Sequence, residues 1–230
     1  MKKAMAKIAH MAMCMCMSVL MVSVVGCTPD GGDGEEVLVE PVDLGLSVKW
    51  APFNVGASSP EESGNYYAWG DVQVRDTVSW EKYIWGKLGA IQMKKYSSKD
   101  GLTVLENEDD VARVKWGKGW RMPTREEFQE LIDECEWARS YVETGEGDDK
   151  EIIHGYTVTA PNGVSIFLPA AGYQNGDKIC GTGYFDLHGY YWSSSLCSEA
   201  DAYALHFSGG RWSCSKQGRF LGFPIRPVAE

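Results

Sequence analysis

The chain has 230 residues and carries 32 acidic against 22 basic side chains, which gives a net charge of −10 at neutral pH. Nucleic-acid-binding proteins set clustered lysine and arginine against phosphates, so this acidic balance argues against that class. The length leaves room for one domain with a sizeable core.

Residues 1–26 have the pattern of a secretory signal. Lys2, Lys3 and Lys7 form a positively charged start, and the stretch 8–26 that follows is almost wholly apolar. The alternative is an uncleaved transmembrane helix, because these 19 residues are just long enough to span a bilayer. We favour cleavage because the sequence turns polar directly after this stretch.

The end of the signal, Val24-Val25-Gly26-Cys27, resembles the lipobox of bacterial lipoproteins. The resemblance implies cleavage before Cys27 and attachment of a diacylglycerol to its sulfur. Residues 28–36 are polar, acidic and rich in glycine, which predicts a flexible tether. Acidic residues at this place also resemble the surface-export signal of some outer-membrane lipoproteins. We therefore expect an outer-membrane lipoprotein that faces the cell exterior.

Residues 37–230 are predicted to form a single domain of short strands and ordered loops, because they contain all nine tryptophans and most of the glycines. Extended segments are predicted at 37–50 and 66–69. A short helix with an acidic start is predicted at 108–116, ended by Gly117.

The clearest local pattern is a helix that begins after Thr124. Thr124 as the N-cap and Glu127 three residues later match a capping box. The helix is predicted to run to about Trp137. Its apolar face is formed by residues at helical spacing, namely Phe128, Leu131, Ile132 and Cys135.

The remainder of the chain is predicted to be rich in strands. Tyr156–Ala160 and Val164–Leu168 alternate around a Pro-Asn-Gly turn, which is typical of a hairpin. Further strands are predicted at 190–193, 202–207 and 223–228.

Alternation in the strand at 202–207 separates its two faces. Tyr203, Leu205 and Phe207 are expected to face the core. Ala204 and His206 are then expected on an exposed face.

Four cysteines belong to the predicted domain, and three pairings among them are possible in an oxidising compartment. The sequence does not choose between pairing and free thiols. Their spacing contains no CxxC and no paired histidines, so neither a metal site nor a cofactor is predicted. The four are Cys135, Cys180, Cys197 and Cys214.

Seven motifs occur in order along the domain and together resemble the Fibrobacter succinogenes major paralogous domain, a family abundant in surface lipoproteins of Gram-negative bacteria. The motifs are VDLGLSVKW at 42–50, NVGA at 54–57, YYAWG at 66–70, WRMPT at 120–124, FLPAAG at 167–172, GYYWSS at 189–194 and IRPV at 225–228. The resemblance covers roughly residue 40 to the end.

That family is similar in turn to C-type-lectin-like proteins, including formylglycine-generating enzymes and the variable proteins of diversity-generating retroelements. The resemblance implies an α+β, C-type-lectin-like fold. In such a fold two helices pack on a small twisted antiparallel sheet, and long irregular loops beside the sheet form a ligand face. In the variable proteins this C-terminal region is diversified and binds ligands.

The segment 189–222 concentrates tyrosine, tryptophan, serine, glycine and arginine, a composition typical of adaptable binding surfaces. We therefore predict that it binds a protein or glycan ligand. The predicted contact residues are Ser195, Cys197, Glu199, Asp201, His206, Arg211, Ser213, Ser215, Lys216 and Arg219.

Three alternatives compete with ligand binding. A formylglycine-generating activity would need an active-site cysteine pair, but the sequence around Cys197 and Cys214 does not match, so no enzyme is predicted. Calcium-dependent sugar binding would need clustered oxygen ligands. The acids at 106–110 are better explained as a helix start, and the Glu-Pro-Asn and Trp-Asn-Asp triplets of true lectins are absent. A structural or adhesive surface component without a pocket remains the main alternative.

Overall fold

The computed structural model describes residues 39–86, 93–183 and 186–229. The predicted signal, Cys27 and the tether lie outside these residues. No helix in the described ranges is long and apolar enough to span a membrane. In chain order the elements are β1 (Lys49–Trp50), α1 (Val111–Trp116), β2 (Trp120–Arg121), α2 (Arg125–Glu134), β3 (Glu136–Thr144), β4 (Glu151–Thr159), β5 (Ser165–Pro169), β6 (Tyr173–Asn175), β7 (Lys178–Cys180), β8 (Thr182–Gly183), β9 (Asp186–Leu196), β10 (Asp201–Ser208), β11 (Arg211–Gly218) and β12 (Val228–Ala229).

The strands form four small antiparallel sheets. Their orders are β1-β12-β2, β11-β10-β9-β8, β3-β4-β5 and β6-β7. Between β1 and α1, the described residues make only isolated bridges. Two helices with several small antiparallel sheets confirm the α+β class.

Both predicted helices are present. In α2, Thr124 and Glu127 form the complete capping box. The helix ends at Glu134 rather than near Trp137, because Trp137 belongs to β3, where its ring stacks on Trp212 at 5.4 Å between centroids. The side chain of Asp110 caps α1, which starts three residues later than predicted and ends before Gly117.

Several of the strand predictions were right. The hairpin of β4 and β5 is confirmed, and so are the strands within β9 and β10. The predicted strand at 66–69 is instead a single bridge from Tyr67 to Phe223. Likewise, regular structure at 223–228 begins only with β12 at Val228.

The sheet β11-β10-β9-β8, termed the C-terminal sheet, lies between two core clusters. On its first face, Leu205 and Phe207 pack in one cluster with Phe128 and Leu131 of α2. On its second face, Ala204 is buried in the other cluster. The prediction of an exposed second face was therefore wrong at Ala204, because its small side chain lets the loops close over the strand.

Candidate functional site

Two of the predicted contact residues are buried. The Ser195 hydroxyl accepts a hydrogen bond from the backbone N–H of Arg125 at 3.0 Å. Arg219 has no exposed surface. The predicted roles of Ser195 and Arg219 in ligand contact were therefore wrong.

Arg219 is held by groups from three segments. Its guanidinium donates to the Tyr83 hydroxyl at 2.9 Å and to the carbonyls of Tyr96 and Glu199, each at 3.0 Å. The same group lies over the Trp69 ring, 4.8 Å from its centroid. Burial with this full set of partners identifies Arg219 as a structural residue that joins the loops to the C-terminal sheet.

Three further predicted residues are half-buried where β9 turns into β10, and Asp201 among them is the first residue of β10. Glu199 accepts hydrogen bonds from the backbone and hydroxyl of Ser98. Asp201 accepts from the Ser198 hydroxyl at 3.0 Å, and its carbonyl accepts from the Cys197 N–H. These groups stabilise the turn and close this end of the sheet.

The predicted contact residues of strand β11 lie on both faces of the C-terminal sheet. Lys216 is opposite Tyr203, which places it on the first face. Ser215 is opposite buried Ala204 and is half-buried on the second face. The structure therefore does not bring Lys216 together with the remaining candidates.

The other end of the second face is open. It is formed by His206, Arg211 and Ser213, which were predicted, and by His188 and Tyr190, which were not. We call these five residues the His–Tyr face. His206 is opposite both Tyr190 and Ser213 in the strand register. Arg211 and Ser213 are exposed, and the other three side chains are half-buried.

The rings of the His–Tyr face are nearly parallel. The centroids of Tyr190 and His206 are 4.3 Å apart, with an interplanar angle of 17°. Nδ1 of His188 lies 2.9 Å from Nε2 of His206, within hydrogen-bonding distance. Sequence reasoning missed His188 and Tyr190 because only the register with β10 shows that they share a face with His206.

Burial and the neighbouring His188 lower the pKa of His206 below its ordinary value of 6.5. His206 is therefore neutral at neutral pH, and a neutral imidazole offers one donor and one acceptor. With the Ser213 hydroxyl and the Arg211 cation, the face presents flat rings bordered by hydrogen-bonding groups. Such a surface can bind a polar ligand.

A cleft of about 330 Å³ lies at the same end of β10. It lies between the C-terminal sheet and the β3-β4-β5 sheet, and it was not predicted because β3 was not predicted. Its lining is Arg139, His154, Gly155, Tyr156, Ala170, Leu187, Ser208 and Gly209. This cleft is the main competing location for a ligand.

Three of the acids considered as calcium ligands do converge in the structure. However, the Lys95 ammonium lies 2.6 Å from Glu106, 3.2 Å from Glu108 and 2.6 Å from Asp109. A lysine cation thus occupies the position that a metal ion would need. The geometry is that of an ion-pair network.

The four cysteines of the domain are free thiols and half-buried. Burial raises the pKa of the Cys214 thiol to about 12. A cysteine nucleophile reacts as the thiolate, which this environment disfavours.

A scan against protein-family models found no match to the chain, and searches of curated proteins and of solved structures found none either. The family suggested by the seven motifs therefore stays a prediction.

Proposed function

We propose that this chain is a lipoprotein, attached to the outer membrane through Cys27, whose C-type-lectin-like domain binds a ligand at the cell exterior. The ligand, a glycan or a protein, lies across the His–Tyr face. The domain acts without catalysis and without a cofactor.

The observation that carries this proposal is the half-exposed ring stack at the open end of the C-terminal sheet. Elsewhere on the second face, Trp192, Ala202 and Ala204 are covered by a core cluster. Rigid aromatic rings give contact area at low entropic cost, while serine and arginine add directed hydrogen bonds. Tyr190 also packs on buried Phe223, with ring centroids 4.9 Å apart, so a structural role accounts for the inner side of the stack and ligand binding for its open side.

The proposal includes sequence diversification of the C-terminal segment, and the same geometry supports it. Arg211, Ser213 and Lys216 are exposed on β11, which lies at the edge of its sheet. Substitutions at exposed positions away from specific contacts usually change stability by less than about 0.5 kcal/mol. These positions therefore tolerate varied side chains without loss of the fold.

The test is a glycan and surface-protein array. The described residues belong to one compact unit, so the domain is prepared from Val37 onward. We expect Ser213→Arg and Arg211→Glu each to weaken an identified interaction by about tenfold or more, since both alter the exposed edge of the ring stack.

Lys216→Glu is the matched control, because it changes the charge of the same strand on the opposite face. It should retain the interaction. A ligand that binds the Ser213→Arg and Arg211→Glu domains as tightly as the original would refute the proposed face.

A further inference from the structure

Strand β3 has one free edge, since among the described residues it pairs only with β4. The carbonyl of His154 accepts a hydrogen bond from Ala170, so His154 directs its backbone groups toward β5. The backbone groups of successive residues in a strand point in opposite directions, so those of Gly155 point toward Ser140 on β3. It follows that the N–H and C=O groups of Arg139, Tyr141 and Glu143 point out of the free edge.

The far part of β3 also exposes apolar surface. Tyr141 is 60 % exposed, and Ile152, which is opposite Glu143 on β4, is 55 % exposed. Tyr141 makes an edge contact with His154, with ring centroids 6.2 Å apart. Outward backbone groups next to exposed apolar side chains are typical of an interaction surface.

The charges along this edge are self-complementary. Arg139, Tyr141 and Glu143 lie on one face of β3 at equal spacing. If two copies of β3 run antiparallel about a two-fold axis at Tyr141, each Arg139 lies opposite Glu143 of the other copy. Charged edge strands usually discourage pairing, but in this register the opposite charges attract.

Among the described residues, neither charge has a strong partner. Glu143 is 3.4 Å from Lys150, and both side chains are more than half exposed, which makes the pair weak. Arg139 makes no ion pair within the described part of the chain. Both groups are thus available to a second copy.

We propose that this protein forms a homodimer in which β3 pairs antiparallel with β3 of a second copy, centred on Tyr141. The β3-β4-β5 sheets of the two copies then become one continuous sheet. This interface does not depend on a ligand at the His–Tyr face.

Cysteine cross-linking of the full chain in membranes tests the register. A hydrogen-bonded antiparallel pair has Cα atoms about 5.5 Å apart, within the range of a disulfide. We expect Tyr141→Cys to give a covalent dimer under mild oxidation. Val164→Cys, which is also exposed but lies beyond this edge, should give no more dimer than the original chain.

Charge exchange in the Tyr141→Cys background tests the pairing itself. Arg139→Glu alone and Glu143→Arg alone place like charges opposite each other twice per dimer. Each should lower the cross-linked fraction by about tenfold. The double exchange should restore it, because the opposite charges are again paired.

Three results would overturn the dimer. The first is no cross-link with Tyr141→Cys, the second is equal cross-linking with Val164→Cys, and the third is a double exchange that cross-links no better than the single ones. Thermal melting of each variant confirms that the domain is folded.

Discussion

Arg219 and Arg226 are fully buried, and each donates hydrogen bonds to oxygen atoms from separate segments. The guanidinium of Arg226 donates to Asn54 and to the carbonyls of Ala51, Pro52 and Phe167. Burial lowers the pKa of Arg226 to about 10, so it stays charged at neutral pH. These two side chains hold irregular loops that lack strands of their own.

Replacing Arg219 should therefore destabilise the domain strongly. Arg219→Met leaves buried carbonyls without donors, and we expect a loss of about 3 kcal/mol or more in the free energy of unfolding. Exposed Arg211→Met is the control and should change it by less than about 0.5 kcal/mol. Urea titration measures both, and equal effects would contradict the assigned role of Arg219.

The sequence could not reveal the burial of Arg219. Its partner Tyr83 lies 136 positions away along the chain, and the neighbouring residues show no periodicity that would assign it to a core. Alternation within one strand assigned His206 to the second face, where the structure has it half-buried. The ring stack around it depends on pairing with β9, which a single strand does not show.

Protonation of His206 should reduce stability. Its folded pKa lies below the ordinary 6.5, so the unfolded chain binds the proton more readily. Its contribution is therefore complete above about pH 6.5 and is lost as the pH falls below that value. We expect His206→Gln to flatten the decrease in melting temperature between about pH 8 and pH 5.

The side chains that face His206 are His188 and Tyr190 on β9 and Ser213 on β11. An NMR titration of the His206 imidazole measures its pKa in the folded domain directly. A His206 pKa at or above 6.5 would contradict this account of the ring stack.

The helices were predictable because their signals are local. Thr124 and Glu127 satisfy each other's backbone groups within one turn, and Phe128 with Leu131 forms the buried face. By contrast, β3 carries mixed polar and aromatic residues without clear alternation. Its strand conformation comes from pairing with β4, which the sequence alone does not specify.

The capping box should contribute measurably to stability. Thr124→Ala removes the hydroxyl that accepts from the Glu127 N–H at 3.2 Å, and we expect a loss of about 1 kcal/mol in the free energy of unfolding. Thr124→Ser keeps the acceptor and should lose only a small part of this. If the two variants were equally stable in chemical denaturation, the cap would not act as described.

In the domain as a whole, one end of the C-terminal sheet is closed and the other is open. The β9–β10 turn and Arg219 close the first end. The His–Tyr face and the 330 Å³ cleft occupy the second. The composition of residues 189–222 singled out the segment that contains most of the His–Tyr face, but the distribution of burial within it required the fold.

The central claim is that the ligand contacts the His–Tyr face rather than the cleft. The domain has only three histidines, with His188 and His206 on the face and His154 lining the cleft. The decisive measurement is therefore an NMR titration of the imidazole signals with a ligand identified on the array. We predict shifts of the His188 and His206 signals with little change at His154, and a shift confined to His154 would contradict the claim.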